Sequence, residues 1–380
     1  MTRKFRRMAF GGSVVAAVLC LATPAWGQQS AGTGPADCNR ACLEGFVDRY
    51  LAALEAGDPN RAPLSDDARF TEQGVELRFG DGAWGTVTSV DKDYRIYVAD
   101  VERGEAAFIG VVTENWEQPG ILALRIKVVD QQITEAETVW ARTIPGATKL
   151  LERGKPRPAF SQSIPDGKRL SRGELVAIAN TYFTGLQDND GTREVRFAPT
   201  CNRIENGTQT TNNTGMGSSR PGVPAIAAKS CDEQFRSGFF RIDTDLRDRR
   251  FRVVDRERGL VFAFGFFDHS GNVLEYDLTD GQTIQSSLIR PHTWMIAELF
   301  KVGADRRLDQ IEAVLLEAPY GMRPGWFDCS GVFPHRCIRP GPAETDIRVG
   351  RDYPDRSEAL RQRRVEQKQR LGQEAGTGTQ

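Results

Sequence analysis

The sequence predicts an α+β protein of two tandem domains, each with helices packed on one face of a curved antiparallel sheet. Three observations carry this. The chain repeats itself: Tyr50, Leu54 and Asp58 recur as Tyr182, Leu186 and Asp190, and Glu72-Gln73-Gly74 recurs as Glu205-Asn206-Gly207. Asp100-Val101-Glu102-Arg103-Gly104 recurs as Asp255-Arg256-Glu257-Arg258-Gly259, and Asp130, Glu137 and Val139 recur as Asp305, Glu312 and Val314. The order is kept while the spacing widens, which describes one domain-sized unit present twice, the second copy carrying insertions. In each copy a segment of helical period precedes a run of segments that alternate with period two. And 380 residues are enough for two ordinary cores.

The N-terminus reads as a secretory signal peptide over residues 1–27. Arg3, Lys4, Arg6 and Arg7 precede an apolar run from Val14 to Leu21, and Ala25-Trp26-Gly27 offers small residues for cleavage before Gln28. The run is too short to span a bilayer, and Leu19 before Cys20 does not suit lipid attachment. A soluble periplasmic or secreted protein is expected, with no membrane partner. Loss of the four positive charges takes the net charge from −1 to about −5. Acids and bases are mixed throughout, so no basic stripe points to nucleic acid.

Six cysteines remain, and an even number in an exported chain predicts disulfides. Cys201 and Cys231 flank one polar insertion and are expected to pair. Cys329 and Cys337 bracket a Pro/Gly loop. Cys38 and Cys42 either join each other or pin the C-terminal segment. Zinc is disfavoured, because paired C-x-x-C spacing is missing.

The first domain is predicted over 38–145. Phe46, Tyr50, Leu51 and Leu54 share one helical face, Asp58-Pro59 ends that helix, and a short second helix is expected after Pro63. Strands follow over 75–79, 94–98, 106–113, 121–129 and 133–139. Residues 146–168 read as a linker. The second domain is predicted over 169–320 and opens on a capping box, Ser171 with Glu174, before a helix over 172–187. Its strands are expected over 251–254, 260–267, 293–302 and 308–316, with an Asn/Thr/Gly/Ser-rich insertion over 206–230. That insertion is either a lid over a pocket mouth or a plain surface loop. A Pro/Gly-rich segment, 321–345, is expected to pack back on the domains, and 346–380 to be a charged tail with a potential helix over 357–371.

Each repeat resembles the nuclear transport factor 2-like superfamily, with its SnoaL-like and ketosteroid-isomerase-like members. The Tyr50 and Tyr182 helices, the Glu-x-Gly turns and the closing strands Glu298–Val302 and Leu308–Val314 carry the likeness. A tandem pair behind a signal peptide, with Gly80-Asp81-Gly82-Ala83-Trp84-Gly85-Thr86 and Pro319-Tyr320-Gly321-Met322, resembles a secreted two-lobed family of unassigned function. The resemblance implies two cone-shaped domains, each with a pocket between its helices and the concave sheet face. It also implies proton abstraction, dehydration, isomerisation or epoxide opening without a metal or cofactor. It says little of the chemistry, because this fold hosts many activities.

Alternation puts His292, Trp294, Ile296, Glu298 and Phe300 on one face of a strand. A His, a Trp and a Glu among apolar residues is the composition of a polar site in an apolar pocket. The expected roles are His292 as base or acid, Glu298 orienting it or acting itself, and Tyr182, Arg203, Glu205 and Trp294 at the substrate. The first domain is taken to have Ala123 where Glu298 stands, and Arg125 is its matching candidate for Arg203. His269 sits in Asp268-His269-Ser270-Gly271-Asn272 and reads as a solvated turn. His335 lies in the Cys329–Cys337 loop. Three scattered histidines without a close His/Asp/Glu cluster argue against a metal site, and no phosphate or dinucleotide fingerprint is present.

Two functions are in view. One is an exported, cofactor-independent lyase, isomerase or dehydratase acting on a small, oxygenated, partly apolar molecule. The other is a non-catalytic ligand-binding or structural two-lobed protein. The row Thr293, Met295, Ala297, Leu299 is also apolar, so the two domains are expected to pair through their sheets within one chain, with a homodimer left open.

Overall fold

The computed structural model describes residues 38–142, 144–216, 225–326 and 346–347. The expected signal peptide, the 217–224 part of the insertion, the Cys329–Cys337 loop with His335, and nearly all of the charged tail lie outside the described residues.

The first half runs α1 (Arg40–Glu55), β1 (Leu64–Glu72), β2 (Val75–Leu77), β3 (Val87–Asp100), β4 (Glu105–Glu114), β5 (Gln118–Val129) and β6 (Gln132–Ala141). A helix α2 (Pro145–Arg153) follows. The second half runs α3 (Arg172–Gln187), β7 (Phe197–Glu205), β8 (Thr208–Gln209), α4 (Cys231–Arg236), β9 (Asp245–Asp255), β10 (Leu260–His269), β11 (Glu275–Asp277), β12 (Thr283–Gln285), β13 (His292–Val302) and β14 (Leu308–Ala318). A short β15 (Asp346–Ile347) pairs with β9. The sheet orders are β2-β1-β6-β5-β4-β3 and β15-β9-β10-β13-β14-β7-β8, so apart from β15 the second sheet repeats the first.

The sheets are mixed, not purely antiparallel as the sequence suggested. After its helix, each copy sends its first long strand alongside the last, and β1–β6 and β7–β14 are parallel pairs. The segment after Pro63, expected as a helix, is β1, because Phe70 is buried in the core and the backbone pairs with β6. Residues 146–168 are not a plain linker, since they hold α2 and two 3-10 turns, with Leu150 and Phe160 buried. The repeated Glu-x-Gly is a tight hairpin turn. Gln73 and Gly74 have φ of 53° and 78°, and Asn206 and Gly207 have 45° and 75°. Two consecutive positive φ values are the signature of the turn that matches strand twist, which is why the glycine recurs.

Three apolar clusters hold the molecule. One lies between α1 and the inner face of the first sheet, around Phe46, Tyr50, Phe70, Trp84 and Phe108. Another lies between α3 and the inner face of the second sheet, around Tyr182, Phe183, Phe235, Phe251 and Phe300. The third joins the outer faces of both sheets, with Ile96, Val98, Ile109 and Val139 against Phe262, Phe264, Met295, Ala297 and Leu299.

Polar contacts cross that joint, several of them at positions related by the repeat. Arg40, first in α1, reaches Asp255 Oδ1 at 2.7 Å, and Arg172, first in α3, reaches Asp100. Arg250 holds Glu137 at 2.5 Å, while the Tyr94 hydroxyl donates to both oxygens of Glu312 at 2.8 and 2.9 Å. Arg125 is fully buried among Glu105, Glu135 and Glu137, and Arg252 of the second half also reaches Glu105. Arg125 therefore faces the joint, not a pocket. Trp326 is buried beneath the Arg69 and Arg125 guanidiniums and donates to Thr71 Oγ1 at 2.6 Å, which ties the start of the Pro/Gly-rich segment to the first half.

Two disulfides are present among the described residues. Cys201–Cys231 forms as expected, and Cys38 joins Cys42. No helix of the described residues is long and apolar enough to cross a membrane.

Candidate active site in the second cone

The alternation of β13 sends Ile296 and Phe300 into the inner cluster, and Met295, Ala297 and Leu299 into the joint. Glu298 therefore points into the second cone, 3% exposed. The strand registers carry the row sideways: Glu298 faces Ala313 on β14, which faces Glu205 on β7, and Phe300 faces Ile311, which faces Arg203. Tyr182 comes down from α3 and is fully buried, ringed by Phe183, Phe197, Phe235 and Phe300.

Arg203 is the fixed cation of this site. It pairs with Glu205, donates from Nη1 to Gln234 Oε1 at 2.7 Å, and lies over the Phe240 ring at 4.9 Å. Gln234 sits on α4, and the Cys201–Cys231 bridge holds α4 beside β7. Despite this cation, burial raises two carboxyls well above the usual carboxylate range. Burial pushes Glu298 up to about 8, against the nearby Arg203 charge and a hydrogen bond with Tyr182. Burial also pushes Asp243 up to about 8, again opposed by Arg203. Burial raises the Tyr182 hydroxyl well above its ordinary value. Glu298 Oε2 has no hydrogen-bond partner among the described residues.

The structure brings Tyr182, Arg203, Glu205 and Glu298 together, and separates His292 from Glu298. They stand six residue steps apart on the strand, about 20 Å at the usual rise. Glu298 therefore does not orient His292. His292 stacks instead on His269, its cross-strand partner, at 4.8 Å, with Trp294 edge-on at 5.6 Å. His269 is not a solvated turn residue. It is the last residue of β10, 3% exposed, with Nε2 3.4 Å from Asp243 Oδ1. Burial pushes its imidazole down to about 4.

Sequence reading missed Asp243, Gln234 and the burial of His269. Extending the alternation of Phe267 by two residues puts His269 on the inner face. Asp243 and Gln234 come from irregular and single-turn segments where no periodicity reports direction. The first copy has no equivalent site. Ala123 pairs with Val139 as Ala297 pairs with Val314, so Ala123 matches Ala297, and Glu298 corresponds to Leu124. Trp84, Phe70 and Phe79 fill the first cone around Tyr50. There Glu72 accepts from Ala83 N at 2.9 Å and Arg142 at 2.7 Å, which is a scaffold role.

A groove of about 630 Å³ lies elsewhere, lined by Val195, Phe197, Cys201, Cys231, Arg236 and Arg307. Arg236 pairs with Asp232 and Arg307 with Asp305 on its exposed wall. Its charges are solvated and mutually satisfied, so the buried carboxyls make the stronger candidate site. Among the described residues no group of three or more His, Cys, Asp or Glu side chains is arranged to hold a metal ion.

Residues 168–315 match the family described as domain of unknown function DUF8021. Both halves share one α+β architecture, a helix against a mixed sheet of the same strand order. Among solved structures, an LEH-like epoxide hydrolase from M. tuberculosis is similar at 19% identity and TM-score 0.21, over 30% of this chain and 90% of that one. A proposed ketosteroid isomerase from Kribbella flavida is similar at 13% identity and TM-score 0.22, over 32% and 90%. A protein from Sphaerobacter thermophilus is similar at 13% identity and TM-score 0.20, over 26% and 94%. No curated protein matches the chain.

Proposed function

We propose that the second cone is a cofactor-independent acid–base site of the lyase, isomerase or dehydratase class, acting on a small, oxygenated, partly apolar molecule in an exported protein. The observation that supports it is Glu298, a fully buried carboxyl that keeps its proton near pH 7 and has Oε2 unpartnered among the described residues. Such an acid gives its proton to a developing oxyanion, and the carboxylate left behind is stabilised by Arg203. Tyr182 and Arg203 hold the reacting oxygen, Glu205 fixes Arg203, and Trp294 walls the outer part of the row with His292. Export is supported by the N-terminal sequence and the two disulfides.

A second reading, ligand binding without turnover, is favoured by one feature: both terminal nitrogens of Arg203 are already engaged, by Gln234 and Glu205. The experiment that separates them follows C–H to C–D exchange and product formation by NMR, using small ketones, β-hydroxy ketones and epoxides in D₂O. Wild type is expected to turn over at least one class, and Glu298→Gln to slow it by about 100-fold or more. Equal rates in the two proteins overturn the acid–base reading. Binding without exchange supports the second one.

A further inference from the structure

Residues 270–291 leave the sheet after His269, form the β11–β12 hairpin, and rejoin it at His292, so the two imidazoles meet as the last cross-strand pair. A carbonyl only accepts, so each ring has committed its Nδ1–H: His269 to Ile242 O at 3.2 Å and His292 to Arg290 O at 2.9 Å. In the neutral rings both Nε2 atoms are then lone pairs. Their fates differ. His269 Nε2 faces Asp243 Oδ1, and two facing lone pairs repel unless a proton lies between them. Burial pushes the Asp243 carboxyl up to about 8 and the His269 imidazole down to about 4, so an acid proton is at hand beside His269 Nε2. His292 Nε2 is buried and has no partner, in a residue only 7% exposed. Both Nδ1 atoms are satisfied and His269 Nε2 has Asp243 beside it, whereas His292 Nε2 is an acceptor without a donor, which a folded protein ordinarily avoids.

We propose that His292 Nε2, walled by Trp294 and the stacked His269, is a subsite for the hydroxyl of a small uncharged phenol, which donates its O–H to the imidazole lone pair. This goes beyond the acid–base reading, because the subsite lies six residue steps along β13 from Glu298. The surroundings select it. A carboxylate has no proton to give to a lone pair. The charged groups in reach of the histidine pair are Asp268 on β10 and Asp243 before β9, and Asp243 is in turn reached by Arg203. Arg203 is engaged by Glu205 and Arg247 by Asp268, so neither offers its charge to an anionic ligand. The Trp294 ring, partly exposed beside His292, offers the flat apolar wall that an aromatic ring needs.

The test titrates the full-length protein with phenol, anisole and benzoate, reading side-chain ¹⁵N resonances of the histidines. Phenol is expected to saturate and to move His292 Nε2, while anisole and benzoate bind about tenfold more weakly or worse, the loss expected of one hydrogen bond to a buried acceptor. His292→Phe is expected to weaken phenol by about the same factor. Equal binding of phenol and anisole to wild type, an unmoved His292 Nε2, or no saturation by phenol overturns the proposal, whatever the variant does. Glu298→Gln should leave phenol binding intact even where it abolishes proton transfer, so failure of the subsite and failure of the acid–base reading are told apart.

Discussion

Replacing Glu298 by glutamine should make the protein less sensitive to alkali. In the native state burial holds the Glu298 proton up to about 8. In the unfolded chain a glutamate ionises near ~4.3. Between those values the native state binds one proton more than the unfolded state. Stability therefore falls as pH rises, by about 1.4 kcal/mol for each pH unit. The contribution is fully present below the unfolded value and lost as pH climbs through the native one. Glutamine keeps the shape and the contact with Tyr182 but has no proton to lose. Wild type minus Glu298→Gln should then drop by roughly 3 kcal/mol between pH 5 and pH 7.5. Asp243 is also held up to about 8, but it is present in both proteins and cancels to first order. Urea unfolding at several pH values, followed by tryptophan fluorescence, measures the difference. A difference that stays flat, or rises with pH, refutes a proton-bearing Glu298 and means an ionised carboxylate paired with Arg203.

Other substitutions probe the scaffold. Arg125→Leu leaves Glu105, Glu135 and Glu137 buried without their central cation, and should cost about 3–5 kcal/mol in urea unfolding. Tyr94→Phe removes the hydroxyl that donates to both oxygens of Glu312 across the joint, and should cost about 1–3 kcal/mol in the same assay. Replacing Cys201 and Cys231 by serine should lower stability by about 3–4 kcal/mol. It should also speed amide exchange along α4, because the bridge holds that single turn and Gln234 against β7.

Much of the fold was legible because a duplicated chain carries its own control. The Glu-x-Gly pair marked two hairpins whose backbone demands positive φ at consecutive positions. Asp100 and Asp255 recur for a reason that one copy alone hides: each accepts an arginine from the first residue of the other half's helix. A repeat reports that a position is constrained, but not which neighbour constrains it. The parallel pairs β1–β6 and β7–β14 were hidden because the partners lie at opposite ends of each copy. At the site, alternation gave the inward face of Glu298 but not its distance from His292. Spacing along a strand is long, and residues sharing a face need not share a site. Asp243 carried no periodic signal, yet it is the residue that links the Arg203 group to the histidine pair.

The account turns on one proton. Carbon-13 NMR of protein labelled at the glutamate side-chain carboxyl, with Glu298 assigned by its absence in Glu298→Gln, reads that proton directly. The account predicts a Glu298 carboxyl still protonated at pH 7, with its midpoint near 8. A midpoint in the ordinary glutamate range, near ~4.3, would contradict it.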